Sequence, residues 1–416
     1  MTRILFLGDS AGTGFGSVTK DLGLALIALG EDVRFLSLNE QAGGDLPEPF
    51  AGRTAILDNP NGWLADHVNP EVVARTVARM EGMFTGSLFE DGWAPEAGII
   101  LGDVASVKMS PVPQFIPDGF PVFHYVPIEG DGLPPAWAAV WRKMRPVAMS
   151  RFGADEIAHI YPQRPPVVYH GVNPDDFWPV SQKRPIYLET AKGTRKLHSK
   201  ADCKKLFGRP ADRLTLLRTD RHMPRKMYPS LFRALGPVLA RHPNVDFVWH
   251  CATRDQGGDL SDEVSKYGKI ASQLFSSGYH DQYGGLDRKL LNALYNAADI
   301  YVSNSSEGFG LCIAEALACG VPAVGIKYSA VPEVIGPAGV TVPICTRIDN
   351  VYSHFWGWAD EGKFGAAVES LVNDAVLRTV LGAKGPGHVA ANFTWPAAAL
   401  QFRDMIAAAV PQEAAA

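Results

Sequence analysis

The sequence predicts an α/β chain built from two doubly wound domains. Three observations carry that expectation. Short apolar runs alternate with longer helical patterns from end to end. The runs are continuous rather than alternating, as suits parallel strands covered on both faces. The chain has 416 residues, 46% hydrophobic and 20% charged, enough for two or three cores and too apolar for a mainly disordered protein.

The expected strands of the first half are Ile4–Leu7, Val33–Leu38, Gly98–Leu101, Val122–Val126 and Val167–Tyr169. Those of the second half are Leu214–Leu217, Val245–Trp249, Ile300–Val302 and Val321–Ile326. A join falls near Val172–Pro179, where His170-Gly171-Val172-Asn173-Pro174 carries turn chemistry. The net charge of −5 argues against a protein coated in basic residues for nucleic acid. Residues 182–226 nevertheless hold 14 Lys/Arg against 4 Asp/Glu, a run that reads first as a solvated face. No run approaches the ~18 apolar residues of a spanning helix, and Arg3–Asp9 is too short for a signal-peptide core. Five cysteines without zinc spacing read as reduced thiols of a cytoplasmic protein.

The segment Ile300–Gly339 is the most informative. A strand runs into the polar turn Asn304-Ser305-Ser306-Glu307, then Gly308-Phe309-Gly310, then a helix from Leu311 to about Cys319 stopped by Gly320. Glu315 sits inside that helix among apolar neighbours, so its carboxylate needs a partner: either a protein donor or ligand hydroxyls. Gly308 and Gly310 leave backbone N–H groups uncovered at a helix start, where a phosphate is favoured. Phosphate at the mouth and a buried carboxylate one turn inside suit a nucleotide. Glu307 stands eight residues before Glu315, a little over two helical turns.

Around these two carboxylates lie the serines of the turn, Gly308-Phe309-Gly310-Leu311, then Glu315-Ala316, Ala318, Gly320 and Pro322. This pattern resembles the family-4 retaining glycosyltransferases of the GT-B fold. Leu294–Ile300, Arg218–Lys226, Ser150–Gly153, His170–Asn173 and Phe393-Thr394-Trp395 extend the resemblance over most of the chain, although Asp220 stands where the family usually has Gly. The resemblance implies two Rossmann-like domains facing a cleft. Residues 1–172 would bind acceptor, residues 173–390 the nucleotide-sugar, and residues 391–416 would form a helix crossing back to the N-terminal domain.

By the same resemblance, Arg221 and Lys226 would hold the diphosphate, Glu315 the ribose and Glu307 a donor-sugar hydroxyl. Backbone N–H groups of Phe309, Gly310 and Leu311 would touch sugar and phosphate. Gly14, in the loop Gly8–Ser17, would lie near the donor phosphates. Read as Gly-x-Gly-x-x-Gly from Gly12, that loop fails at Ser17. His124 would be the N-domain site histidine, Glu129 and Asp131 acceptor contacts, Asp103 a weaker candidate, and His170 a linker hydrogen-bond residue. The donor would be a UDP- or GDP-sugar, with cationic side chains in place of a metal and no further cofactor. Acceptor classes left open are a carbohydrate, lipid-linked sugar or small molecule, and DNA carrying a 5-hydroxymethylated pyrimidine. Other readings are a GT-B epimerase or phosphorylase, and a non-enzymatic sugar-nucleotide binding module.

Overall fold

The computed structural model describes residues 1–9, 13–37, 53–56, 77–89, 91–191 and 193–411. The chain divides into two compact units. One comprises Met1–Ile128, Gly132–Gly171 and Thr394–Ala416; the other comprises Glu129–Asp131 and Val172–Phe393.

The first unit carries β1 (Arg3–Gly8), β2 (Asp32–Ser37), β3 (Thr54–Ile56), β4 (Ala97–Leu101), β5 (Val122–Val126) and β6 (Arg145–Ala148). They form one sheet in the order β3-β2-β1-β4-β5-β6, parallel throughout. Ile4 to Leu7 and Ile99 to Leu101 are buried, as their continuous apolar runs require. The first helix, Gly14–Ala28, starts on Thr13, whose hydroxyl accepts from Gly16 N–H at 3.0 Å. The expected strand at Val167–Tyr169 is reduced to a single bridge, Ala148 to Val167. Pro165 and Pro166 precede it, and proline has no N–H to extend a ladder.

The second unit opens with the hairpin β7 (Ile186–Thr190) and β8 (Gly193–Leu197). Its main strands are β9 (Leu214–Arg218) and β10 (Val245–Trp249), then, after the two-residue β11 (Arg254–Asp255) and β12 (Gly258–Asp259), β13 (Leu274–Ser276), β14 (Ile300–Ser303), β15 (Ala323–Ile326) and β16 (Gly339–Val342). This second parallel sheet has the order β13-β10-β9-β14-β15-β16, the same permutation as the first. A second hairpin follows, β17 (Ile344–Asp349) and β18 (Phe355–Ala359). In such sheets the order reverses between the first and fourth strands, and ligands bind beyond the carboxyl ends there. In this unit that point lies between β9 and β14.

Three boundaries differ from the sequence expectation. The join falls between Gly171 and Val172, Glu129–Asp131 clusters with the second unit, and the closing segment begins at Thr394 rather than residue 391. The last helix, Trp395–Ala409, is part of the first unit. Phe402 meets Tyr125 edge-on at 5.1 Å, and the Trp395 ring lies 5.7 Å from His170. Gly171 lets this helix approach, since a Cβ there would fall 2.1 Å from Trp395 N and 2.6 Å from Thr394 C. Both atoms are backbone and cannot rotate away. Gly171→Ala is therefore expected to destabilise the protein by about 2 kcal/mol or more. Gly268→Ala, where a Cβ meets nothing within 4 Å, serves as the control. Thermal unfolding of both variants checks this; equal melting temperatures would refute the packing argument.

Candidate functional site

At the switch point of the second unit, β9 ends in a charge and β14 ends in a polar turn. Arg218 closes the apolar run Leu214–Leu217 and is fully buried. Its guanidinium donates to Asn304 Oδ1 at 2.6 Å and Ser305 Oγ at 2.8 Å, and lies 3.1 Å from Asp220 Oδ2. The turn after β9 then delivers two more cations. A single 3-10 turn, Pro224–Lys226, ends on Met227 in the left-handed region at φ 50°. That conformation costs a non-glycine residue energy, and it re-aims the chain into the following helix, Tyr228–Arg241.

Lys226 is buried between two carboxylates. Its Nζ donates to Asp220 Oδ1 at 2.6 Å and to Glu307 Oε1 and Oε2 at 2.7 and 2.9 Å. Glu307 also accepts from Ser305 Oγ at 2.7 Å and from Arg225 Nη1 at 3.1 Å. Arg225 donates to the Ser306 carbonyl at 2.7 Å, and its Nε lies 3.5 Å from Glu129 Oε1. Three cations, Arg218, Arg225 and Lys226, thus meet three carboxylates, Asp220, Glu307 and Glu129. Burial alone would raise the Asp220 carboxyl, but Lys226 and Arg218 outweigh it and hold it below its usual range. Burial would likewise lower the Arg225 guanidinium, and Glu307 and Glu129 reverse that.

The helix expected over Leu311–Cys319 runs Leu311–Ala318, with Gly310 before it at φ 104° and Gly320 after it at φ 75°. Gly310 O accepts from Ile313 and Ala314 N–H, while the N–H groups of Gly310 and Leu311 meet no acceptor among the described residues. Glu315 is buried, and the sequence left its partner undecided. Tyr295 supplies a protein donor, its hydroxyl lying 2.7 Å from Glu315 Oε2. The same hydroxyl is 2.9 Å from Thr219 Oγ1, so Glu315 is tied to the turn after β9.

The other sequence-expected residues are placed as follows. Arg221 stands apart from the cluster: it is more than half exposed, and Asp255 on β11 holds it through two hydrogen bonds at 2.6 and 2.9 Å. Phe309 is buried and its ring meets Phe393 edge-on at 5.2 Å. Gly14 begins the first helix, and a Cβ there would meet nothing within 4 Å; Ser10–Gly12 of its loop lie outside the described residues, as does Leu38. Asp103 caps a short helix through Ser106 N–H and Oγ. His170 Nδ1 lies 2.7 Å from Tyr125 Oη, whose hydroxyl donates to the Val168 carbonyl.

His124 is fully buried with both ring nitrogens engaged by protein. Trp141 Nε1–H donates to Nδ1 at 2.9 Å, so Nε2 carries the proton and donates to Gly102 O at 2.9 Å. Burial pushes its pKa down to about 4. Glu129 and Asp131, expected with the first domain, belong instead to the second unit. Gly130 between them has no room for a side chain, because a Cβ would fall 1.6 Å from Phe355 O. That close approach brings Glu129 to Arg225 and Asp131 to Arg347.

The basic run 182–226 is largely compensated rather than a free solvated face. Nine of its cations pair with carboxylates of the same unit: Arg184, Lys200, Lys204, Arg209, Arg213, Arg218, Arg221, Arg225 and Lys226. Asp246 and Asp299 are the main partners outside the cluster. Among the described residues no group of three or more His, Cys, Asp or Glu side chains could hold a metal ion, and no helix is long and apolar enough to cross a membrane.

Sequence reasoning missed Arg218, Arg225 and Tyr295 as site residues. Arg218 had a signal, a lone charge ending a buried strand. Tyr295 had none, because its meeting with Glu315 joins two helices.

Comparison with solved structures places the fold. Sucrose-phosphate synthase from Thermosynechococcus elongatus superposes with a TM-score of 0.69 over 98% of this chain and 100% of that one, at 19% identity. HepE from Anabaena, solved with UDP-glucose, gives a TM-score of 0.68 over 98% and 100%, at 16% identity. The chain has the GT-B fold, with its two six-stranded parallel sheets.

Residues 209–346 match the sequence model of the family Glycosyl transferases group 1. A D-inositol 3-phosphate glycosyltransferase of Corynebacterium jeikeium is 32% identical over 173 residues, 41% of this chain and 37% of that protein. A GDP-mannose-dependent monoacylated alpha-(1-6)-phosphatidylinositol monomannoside mannosyltransferase of Corynebacterium glutamicum is 25% identical over 191 residues, 42% of each chain. These matches span about two fifths of the length of the relatives.

Two outcomes test the electrostatics. Lys226→Met leaves Asp220 and Glu307 short of their shared cation and is expected to cost about 3 to 5 kcal/mol at pH 7. Asp220 has a depressed folded-state pKa, so its contribution is complete above 3.8 and is lost as pH falls below that value. The gap between wild type and variant in denaturant unfolding should therefore narrow below pH 3.8. His124 likewise titrates lower when folded, so it draws stability down as pH falls from 6.5 to about 4. His124→Gln, which can donate to Gly102 and accept from Trp141, should flatten that slope by up to roughly 3 kcal/mol. An unchanged slope would show that His124 is not held neutral.

Proposed function

We propose that this protein is a retaining glycosyltransferase that moves a sugar from a nucleoside-diphosphate sugar to an acceptor hydroxyl. One observation carries the reading: Arg225, Lys226 and Glu307 gather at the switch point, beside the Gly310 helix start, with Glu315 about one turn inside. The cations and the free N–H groups of Gly310 and Leu311 offer a diphosphate what it needs. Glu315 would take ribose hydroxyls, with Tyr295 fixing its orientation. Glu307, held by Ser305 and Lys226, would take a hydroxyl of the transferred sugar.

In the step itself, the anomeric carbon–phosphate oxygen bond breaks and the acceptor oxygen bonds to that carbon on the same face. The acceptor proton passes to the departing phosphate oxygen. Arg225 and Lys226 stabilise the negative charge that grows on the leaving diphosphate. We read this charge stabilisation as independent of a metal, because side-chain cations stand where the leaving group would form. Neither Arg221 nor His124 receives a role, since each is already engaged elsewhere. The neutralised basic run favours a saccharide, lipid-linked or small-molecule acceptor over DNA, because a phosphate-tracking surface needs uncompensated cations.

The donors named for the related proteins, UDP-glucose and GDP-mannose, set the first panel. A nucleotide-sugar that binds only the native state should raise its stability, by about 2.7 kcal/mol at a hundredfold excess over Kd. Glu315→Ala is expected to weaken donor binding about tenfold or more. Lys226→Ala should lower turnover by about a hundredfold or more. No thermal shift with any donor, or normal turnover in both variants, would sink the reading.

A further inference from the structure

Arg218 carries a full charge at the end of the buried strand β9, with no part of it exposed. Burying a guanidinium costs free energy, and well-packed apolar residues in place of buried ion pairs are often as stable or more so. Stability is thus a weak reason for its presence. Its contacts point to another.

The fork of Arg218 reaches both turns of the site. Nη1 donates to Asn304 Oδ1, and Asn304 Nδ2 donates in turn to the carbonyl of Met227, the residue after Lys226, at 3.3 Å. Nη2 donates to Ser305 Oγ at 2.8 Å and lies 3.1 Å from Asp220 Oδ2. From Nη2, two arms run to a single atom. In the first, Ser305 Oγ donates to Glu307 Oε1 at 2.7 Å. In the second, Asp220 Oδ1 accepts from Lys226 Nζ at 2.6 Å, and Lys226 Nζ donates to the same Glu307 Oε1 at 2.7 Å. Arg218, Ser305, Glu307, Lys226 and Asp220 therefore close a ring of contacts.

The chemistry of a guanidinium gives the first arm a direction. Arginine has no acceptor, so Ser305 Oγ accepts from it, and a serine hydroxyl has one proton to give. An ionised carboxylate only accepts, so that proton points at Glu307 Oε1. Arg218 thus settles a hydroxyl rotor that could otherwise turn to Ser303 Oγ, 3.5 Å away. A hydroxyl that accepts from a cation is also a stronger donor, so Glu307 is held more firmly. The Glu307 backbone is fixed as well: its N–H donates to Ser329 Oγ at 2.9 Å, and its carbonyl accepts from Ala330 N–H at 3.2 Å. Turning the Glu307 carboxylate breaks the ring.

We propose that Arg218 is a positioning residue for the transferred sugar. Acting through Ser305 and Asp220, it fixes Glu307 and Lys226 relative to each other, so that Glu307 meets a sugar hydroxyl in one orientation. The inference rests on the glycosyltransferase reading, in which Glu307 takes that hydroxyl.

The test compares a nucleotide with the same nucleotide carrying its sugar, by titration calorimetry on the full chain. The pairs are UDP with UDP-glucose and GDP with GDP-mannose. A positioning role predicts a loss confined to the sugar. Ser305→Ala removes the hydroxyl arm and leaves Arg218 with Asn304 and Asp220. It should weaken the nucleotide-sugar by about fivefold or more and leave the free nucleotide within about twofold, as for one lost hydrogen bond. Arg218→Lys keeps the charge, loses the fork and should show at least the same loss. The double variant should lose less than the product of the two, because both reach Glu307 through one hydroxyl. Equal loss for nucleotide and nucleotide-sugar in Ser305→Ala, unchanged nucleotide-sugar affinity in either variant, or a full product in the double variant overturns the proposal. Denaturant unfolding verifies that each variant is folded, and Ser305→Ala carries the test if Arg218→Lys is not. A wild-type protein that binds none of these ligands defeats the underlying reading. One that binds a nucleotide-sugar without a sugar-confined loss in Ser305→Ala defeats the role of Arg218 alone.

Discussion

The site depends on one buried ammonium. Lys226 reaches Asp220 and Glu307 together, and beside Lys226 and Arg218 the Asp220 carboxyl is held below its usual range despite its burial. The Lys226 salt bridges join the turn after β9 to the turn after β14, the two strand ends that flank the switch point. Buried ion pairs add little net stability, since desolvation offsets their attraction. What they do supply here is position: a compensated cluster of defined geometry at the place where this sheet order opens a binding crevice.

The cluster as it stands is self-neutralising. Arg225 is shared by Glu307 and Glu129, and Lys226 by Glu307 and Asp220. A diphosphate entering such a place competes with carboxylates for the same cations. Glu129 is the partner with the longest contact, 3.5 Å, and it arrives on a three-residue excursion of the chain whose middle residue must be glycine. The excursion, the second hairpin and Tyr328, which accepts from Asp131 N–H and donates to Phe355 O, form one connected structure around Glu307.

Legibility from the sequence followed burial. The inner strands β1, β2, β4, β5, β9, β10, β14 and β15 announce themselves as continuous apolar runs because both faces are covered. Within the two large sheets, the four strands that escaped notice, β3, β6, β13 and β16, are the edges. An edge strand is short or half-exposed, as the pattern of β16 shows, and its sequence lacks a sustained apolar signal. The basic run misled for a related reason. Its counter-charges, Asp246, Asp255 and Asp299, lie tens of residues away, and one-dimensional charge density does not show them.

The sequence by itself determined the α/β class, the inner strands and the Glu307-to-Glu315 motif, because each is written in local spacing: apolar runs, a glycine pair at a helix start, a carboxylate amid apolar neighbours. Only the tertiary structure decided which charges meet. Arg225 rather than Arg221 joins Lys226, Tyr295 answers Glu315, Trp141 locks His124, and Glu129 with Asp131 crosses to the second unit. Pairing of charges and hydrogen-bonding groups depends on distances across elements far apart in the chain, and those distances exist only once the sheets have formed.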